Sequence, residues 1–435
     1  MIGRSSRFIS VVLLSGLTSC HREVVNQSDD LTQIAPKENW KREVLATELD
    51  IDVAGKRGTA KVSLSTSSRT GASLEVGDLV IEEVKSGDVS VPFKVTAGRL
   101  DLGLPARKPA EVTIRYAFKE HGELKGAHTS GLTFTWPTFC GNLFPCKSDP
   151  SDGTSFALTL SNVPAGQVAV YPEKIVEQAP SYMLAWAVGD YTKLDLGQTA
   201  AGTRVSAWYL PEQETATREG TLRLVEAFSF YEQTYGPYSF GDEVGSVAAE
   251  WGKGAFGGME HHPFWHVASS AMSDEETHVH EAAHGWFGDG VRIRCWEDLT
   301  LSEGTTSYIT ARAIEATSGQ QAGDAVWSSY ASRLSAVVAS EDRVARPDGC
   351  NEVDVLKELW NDVVYVKGAF FYRAVEREIG VEAMDAVLRD FYAEHQGDAA
   401  GVEDMLAAIE DATGFDPTPL ADVWLRSLGA PTPPL

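Results

Sequence analysis

The run His280-Glu281-Ala282-Ala283-His284 constrains this chain more than any other stretch of it. Ser273-Asp274-Glu275-Glu276, just ahead, has the spacing of a capping box, and an acidic first turn suits a helix dipole, so the run is expected on a helix. Residues four apart on a helix share a face, so both imidazoles can converge on one zinc ion. Glu281 lies roughly 100° round the helix from His280, placed to reach a water beside the metal rather than the metal itself. The chain holds 10 His and 62 Asp+Glu in 435 residues; at that composition a His-acid-x-x-His run arises by chance about 0.03 times per chain. His278, two residues upstream, is expected to face away as a surface histidine. A zinc site that keeps an open fourth position needs a third protein ligand. Glu303 follows His284 after eighteen residues, and a turn after Gly288 with an antiparallel return would deliver its carboxylate. Asp298 could orient a ligand imidazole, but a helix cap is its expected role.

The texture on either side differs. From 40 to 210 short β-rich runs alternate with Gly, Pro, Asp and Ser clusters, as in Val112-Thr113-Ile114-Arg115-Tyr116, which is the pattern of an all-β sandwich. From 211 to 435 the periodicity is helical. Leu222, Val225, Phe228 and Tyr231 recur at three-residue steps before Gly236-Pro237, and helices are expected near 274–287, 299–317, 320–338, 363–379, 381–395, 401–412 and 418–427. The fold class is therefore multi-domain, β followed by a mostly helical α+β domain.

Arg4 and Arg7 precede an apolar run from Phe8 to Leu17, too short to span a bilayer and suited to a signal-peptide core. Leu17-Thr18-Ser19-Cys20 resembles a bacterial lipoprotein cleavage box, which implies a signal peptide over 1–20, lipidation of Cys20 and a tether over 21–39. The chain is then expected to be exported and held by its lipid at the periplasmic or outer face of a bacterial membrane. The other cysteines are Cys140, Cys146, Cys295 and Cys350. In an oxidising compartment their even number favours disulfides, and proximity suggests Cys140–Cys146 and Cys295–Cys350. Zinc ligation is the competing use, although none has a Cys-x-x-Cys neighbour. A net charge of −25 argues against a nucleic-acid partner.

Further segments extend the central motif. His280 to Gly288, then Trp296-Glu297-Asp298-Leu299 and Ser302-Glu303-Gly304, resemble the gluzincin aminopeptidases of family M1. Gly257-Gly258-Met259-Glu260-His261 is similar to that family's exopeptidase motif, Tyr365-Val366-Lys367-Gly368 to the segment bearing its catalytic tyrosine, and Trp186 to Tyr191 to the end of its β domain. The resemblance implies a thermolysin-like catalytic domain holding one Zn2+ on His280, His284 and Glu303, with peptides as substrates. It implies Glu281 as general base and Tyr365 as hydrogen-bond donor to the oxyanion. Glu260 would pair with the free ammonium of a peptide's first residue, with Gly257 and Gly258 leaving room for substrate backbone beside Met259.

The pattern is also broken in places. His261 stands for the family's Asn and Gly285 for its usual Gln, changes expected to alter contacts around the ligands rather than abolish zinc binding. Counting back from Phe144-Pro145-Cys146, Phe134 and Trp136 occupy the positions of a Gln and a Glu, so one amine-binding carboxylate is missing and an aromatic first subsite containing Trp136 is expected. The chain ends soon after Trp424 to Pro431, which resembles the end of the catalytic module, so a more open cleft is expected. His261, His262 and His266 cluster without helical ligand spacing, which disfavours a second metal site. Two other functions fit parts of the pattern: a peptide-binding lipoprotein on a degenerate peptidase scaffold, and a zinc endopeptidase or hydrolase of other substrates.

Overall fold

The computed structural model describes residues 31–252, 257–340, 343–358 and 362–434. The signal segment and Cys20 lie outside the described residues. No helix among the described residues is long and apolar enough to cross a membrane.

The N-terminal part is built on a seven-stranded sheet. Its strands run Lys174–Pro180, Gly153–Ser161, Val44–Asp52, Arg57–Leu64, Ala110–Ala117, Val80–Ser86 and Val89–Ser90 in spatial order. The alternation read from the sequence is real: along Arg57–Leu64 every second side chain is buried, as a half-covered strand requires. Leu49, Val62 and Val112 from this sheet share one core with Leu74, Leu100 and Leu102 from a three-stranded sheet. Two sheets face each other across that core, and Cys140–Cys146 closes a loop beside it with Cα atoms 6.2 Å apart.

The second part combines a five-stranded sheet with helices. In order the strands are Thr192–Gln198, Arg204–Tyr209, Glu243–Ala249, Phe264–Ala268 and Gly258–Met259. Two of these precede Pro211. The sheet thus crosses the point where the sequence texture changes, because Arg204–Tyr209 finds its parallel partner in Glu243–Ala249, beyond the reach of local periodicity.

The helices that matter for the site are α1 (Leu224–Tyr235), α2 (Glu275–Ala283), α3 (Thr305–Ser318), α4 (Gln320–Ser340) and α5 (Val363–Ile379). On α1 the buried face is Leu224, Ala227, Phe228, Tyr231 and Tyr235, a step of three and four. Leu222 lies two residues ahead of the helix and is 71% exposed, so the run of three-residue steps began too early. At the start of α2 no side chain caps the helix; the Asp274 carboxylate instead accepts the Thr277 hydroxyl at 2.6 Å, so the anticipated capping box does not form. Cys295–Cys350, Cα atoms 5.8 Å apart, ties the start of the segment leading to Glu303 to the loop after α4. With all four sulfurs in disulfides, their use as zinc ligands is removed.

Candidate metal centre

The imidazoles of His280, on α2, and His284, the residue that ends it, meet edge to face with ring centres 5.0 Å apart. Glu303 lies in a π-helical turn, Thr300–Gly304, that runs into α3. Its Oε2 is 3.2 Å from His280 Nε2 and 3.4 Å from His284 Nε2. One ligand atom from each of the three residues lies within 4.8 Å of the others. His284 Nδ1 is 3.0 Å from the Phe287 carbonyl; a carbonyl only accepts, so Nδ1 carries the proton and Nε2 keeps its lone pair for a metal. Two imidazole nitrogens and a buried carboxylate suit zinc. Burial alone would raise the Glu303 carboxyl, but His284 and His280 hold it down at about 2, so it is an anion ready to coordinate.

Glycines set the close approaches. A Cβ on Gly304 would lie 2.7 Å from the Gly368 Cα, and one on Gly368 2.5 Å from the Gly304 Cα. The turn bearing Glu303 and helix α5 therefore touch backbone to backbone, which brings Tyr365 over His280 with ring centres 6.0 Å apart. Burial, then the carboxylates of Glu303, Glu260 and Glu281, push the Tyr365 phenol up, so its hydroxyl keeps its proton.

On the opposite side, strand Gly258–Met259 delivers Glu260. A Cβ on Gly258 would sit 2.3 Å from the Glu281 carboxylate, so any larger residue would displace the Glu281 side chain. Glu260, Glu281 and His284 each place one ligand atom within 4.8 Å of the others. Burial pushes the Glu260 carboxyl up to about 7 and raises that of Glu281 well above the usual range. A cation bound beside them would oppose both shifts.

These residues line one cleft of about 220 Å³, together with Trp136, Gly257, Gly258 and Met259. Every metal, catalytic and substrate residue expected from the sequence is therefore gathered at one place. The sequence reading missed Glu276, Thr277, Ser307 and Arg333, which also line it. Glu276 and Thr277 lie one turn before His280 on α2, so helix periodicity carried that signal. Arg333 comes from α4 and pairs with Asp362 at 2.6 Å, a contact no local pattern reveals. Trp136 sits in the wall, edge-on to Trp296 at 5.8 Å. Phe134 is not part of the lining; it packs against Trp251 and His261.

One expectation is corrected, and one is met at an unexpected helix. His278 is fully buried rather than a surface histidine, bonded to Ser246 Oγ at 2.7 Å and the Met272 carbonyl at 3.0 Å. Gly220 packs against its ring, and that long-range neighbour is what the sequence did not show. Asp298 does cap a helix, but a distant one: its Oδ1 accepts the Val402 amide at 3.1 Å and pairs with Arg346 at 3.2 Å. In the histidine cluster, His261 Nδ1 meets His266 Nδ1 at 3.1 Å, and among the described residues no third donor completes a metal-binding group there.

Two imidazoles one helical turn apart and a glutamate from the next helical segment define a gluzincin type of metal centre. Residues 259–424 match the family model described as Peptidase family M1 domain. The chain is 23% identical over 439 residues to aminopeptidase N of Lactococcus lactis, covering 88% of this chain and 50% of that protein. It is 26% identical over 326 residues to the tricorn protease-interacting factor F2 of Thermoplasma acidophilum, covering 66% and 40%. The chain thus spans half or less of the length of these curated relatives. Among solved structures, the M1 zinc metallopeptidase of Deinococcus radiodurans superposes with a TM-score of 0.76 at 19% identity, covering 91% of this chain and 96% of that one. Yeast LTA4 hydrolase gives 0.75 at 17% identity, covering 91% and 69%. The β-rich part followed by a helical part is the fold of these M1 proteins.

Proposed function

We propose that this chain is a zinc-dependent aminopeptidase that removes residues from the N-terminus of peptides. The observation that carries the reading is the convergence of His280, His284 and Glu303 beside a second carboxylate pair, Glu281 and Glu260, in one cleft. His280, His284 and Glu303 would hold the zinc, which when bound acidifies water and polarises a carbonyl. Glu281 is not a ligand; its buried carboxylate takes a proton from the attacking water and returns it to the leaving amine. The Tyr365 hydroxyl donates to the oxyanion of the tetrahedral intermediate, an interaction typically worth about 3–4 kcal/mol. Glu260 pairs with the ammonium of the first residue, and Trp136 walls the space where a second carboxylate would stand. Relatives named aminopeptidases, and an M1 neighbour solved with a Tyr-Ser-Ala substrate, support peptides as substrates.

The test is hydrolysis of free tripeptides by protein stripped with chelator and reloaded with zinc, beside Glu281→Gln. First residues should be released only by the reloaded wild type, while Glu281→Gln still binds one zinc. Activity in the stripped protein, or undiminished activity in Glu281→Gln, would sink the reading. Tight peptide binding without cleavage would favour a binding protein.

For localisation we propose export and anchoring through a lipid on Cys20. The short apolar run behind Arg4 and Arg7 supports it, and two disulfides suit an oxidising compartment. Labelled palmitate should enter the wild type in a bacterial host and not Cys20→Ser; equal labelling, or none, would contradict it.

A further inference from the structure

The turn that carries Glu260 is fastened to the catalytic helix by one buried side chain. His262 donates its backbone amide to the Glu260 carbonyl at 2.7 Å. Its ring Nε2 lies 2.7 Å from the Glu281 carbonyl and its Nδ1 2.8 Å from the Tyr238 hydroxyl. A carbonyl can only accept, so Nε2 carries the proton, and Nδ1 is then the acceptor for Tyr238. The partners fix the tautomer. The Glu281 carbonyl needs such a donor because it lies in the last turn of α2, where carbonyls lack helical partners. The amide four residues on, that of Gly285, bonds Ala282 instead at 3.3 Å.

Gly285 makes room for this arrangement. A Cβ there would lie 2.7 Å from the Tyr238 ring and 3.1 Å from the His262 ring. The glycine that departs from the family pattern therefore leaves the space that the Tyr238–His262 pair fills.

Resting on the aminopeptidase reading, we propose that His262 is a positioning residue that sets the register between the amine anchor Glu260 and the general base Glu281. It belongs to the turn bearing one and bonds the backbone of the other. The distance from the peptide's ammonium to the point of attack is fixed through it, and with that distance the choice of the first peptide bond. One residue of extended chain spans only about 3.3–3.6 Å, so a small slip between anchor and base misplaces the first carbonyl. Misplacement by roughly 1 Å can cost on the order of 100-fold in rate.

A double-mutant cycle in the zinc-loaded protein tests this, with kcat and KM on a free tripeptide, zinc content and melting temperature as readouts. His262→Phe keeps the ring volume and removes both hydrogen bonds. In the wild-type background it should lower kcat by about tenfold or more, with KM little changed and zinc still bound. His262→Gln, whose amide can donate to the carbonyl, should recover much of the loss. In a Glu260→Ala background, where no anchor remains to be aligned, His262→Phe should cost little further. An equal loss in both backgrounds would show a merely structural role and overturn the proposal, as would no loss in either. If His262→Phe does not fold, Tyr238→Phe runs through the same cycle and the same outcomes decide. A zinc-loaded wild type that leaves the tripeptide intact overturns the aminopeptidase reading and this proposal together, whereas an active wild type with additive variants overturns this proposal alone.

Discussion

At the scale of single residues, the centre works through burial. Glu281 is buried and Tyr365 half-buried in the cleft wall, so each is tuned by its neighbours. Glu281→Gln keeps shape and loses the base, and should lower kcat by about 10²–10⁴-fold. Tyr365→Phe should lower kcat by about 10²–10³-fold with zinc content unchanged. A change in KM alone would contradict either role. The same burial makes the fold acid-sensitive. Burial holds His262 and His266 down to about 3 and His278 to about 4. The unfolded chain takes up protons near the ordinary histidine value while the folded chain refuses them. The contribution of these histidines to stability is therefore full above about pH 6.5 and is lost as pH falls toward 4, at about 1.4 kcal/mol per pH unit for each. Urea midpoints at pH 7.5 and 5.0 check this, and His266→Gln should flatten the dependence; a profile unchanged by that substitution would contradict it. That His280 and His284 stand together was legible in the sequence because helix geometry alone puts i and i+4 on one face. The burial of His278 was not, since Ser246 and Gly220 reach it from other elements.

At the scale of elements, the centre depends on two backbones in contact. Gly304 and Gly368 let the Glu303 turn and α5 approach closely enough for Tyr365 to reach the metal site. Gly368→Ala forces them apart, and should destabilise the protein by about 1–3 kcal/mol, as overpacking does, while lowering kcat more than KM. Unchanged melting and unchanged kcat would contradict the contact. The sequence showed both glycines inside motifs without showing that they touch, because the pairing is between segments more than sixty residues apart. Helix spans were legible almost to the residue for α5 and for Val381–His395, where periodicity ends at glycines. Strand partners were not: Arg204–Tyr209 looked like sandwich and joined the catalytic sheet, since pairing is a tertiary choice.

At the scale of the whole molecule, the β-rich and helical parts are stitched beside the metal centre. Arg292, 5% exposed, donates to the carbonyls of Ser151, Gln178 and Gly397. Tyr182 from the β-rich part donates to the Gly288 carbonyl at 3.1 Å, just past the second ligand histidine. The Cys295–Cys350 bond spans 55 residues, and closing a loop of that size is worth about 4 kcal/mol in the chain-entropy model. Cys295→Ser with Cys350→Ser should therefore unfold at markedly lower urea, and an unchanged midpoint would mean the bond does not form. The order of textures was legible across the chain, whereas this stitching rests on carbonyls, which carry no side-chain signature. The central claim is that metal centre and amine anchor act together on a peptide's first bond. The most direct measurement is the initial rate of the zinc-loaded protein on a free tripeptide and on its N-acetylated form. Rapid release of the first residue from the free peptide alone is the predicted result; equal cleavage of both, or of neither, would contradict it.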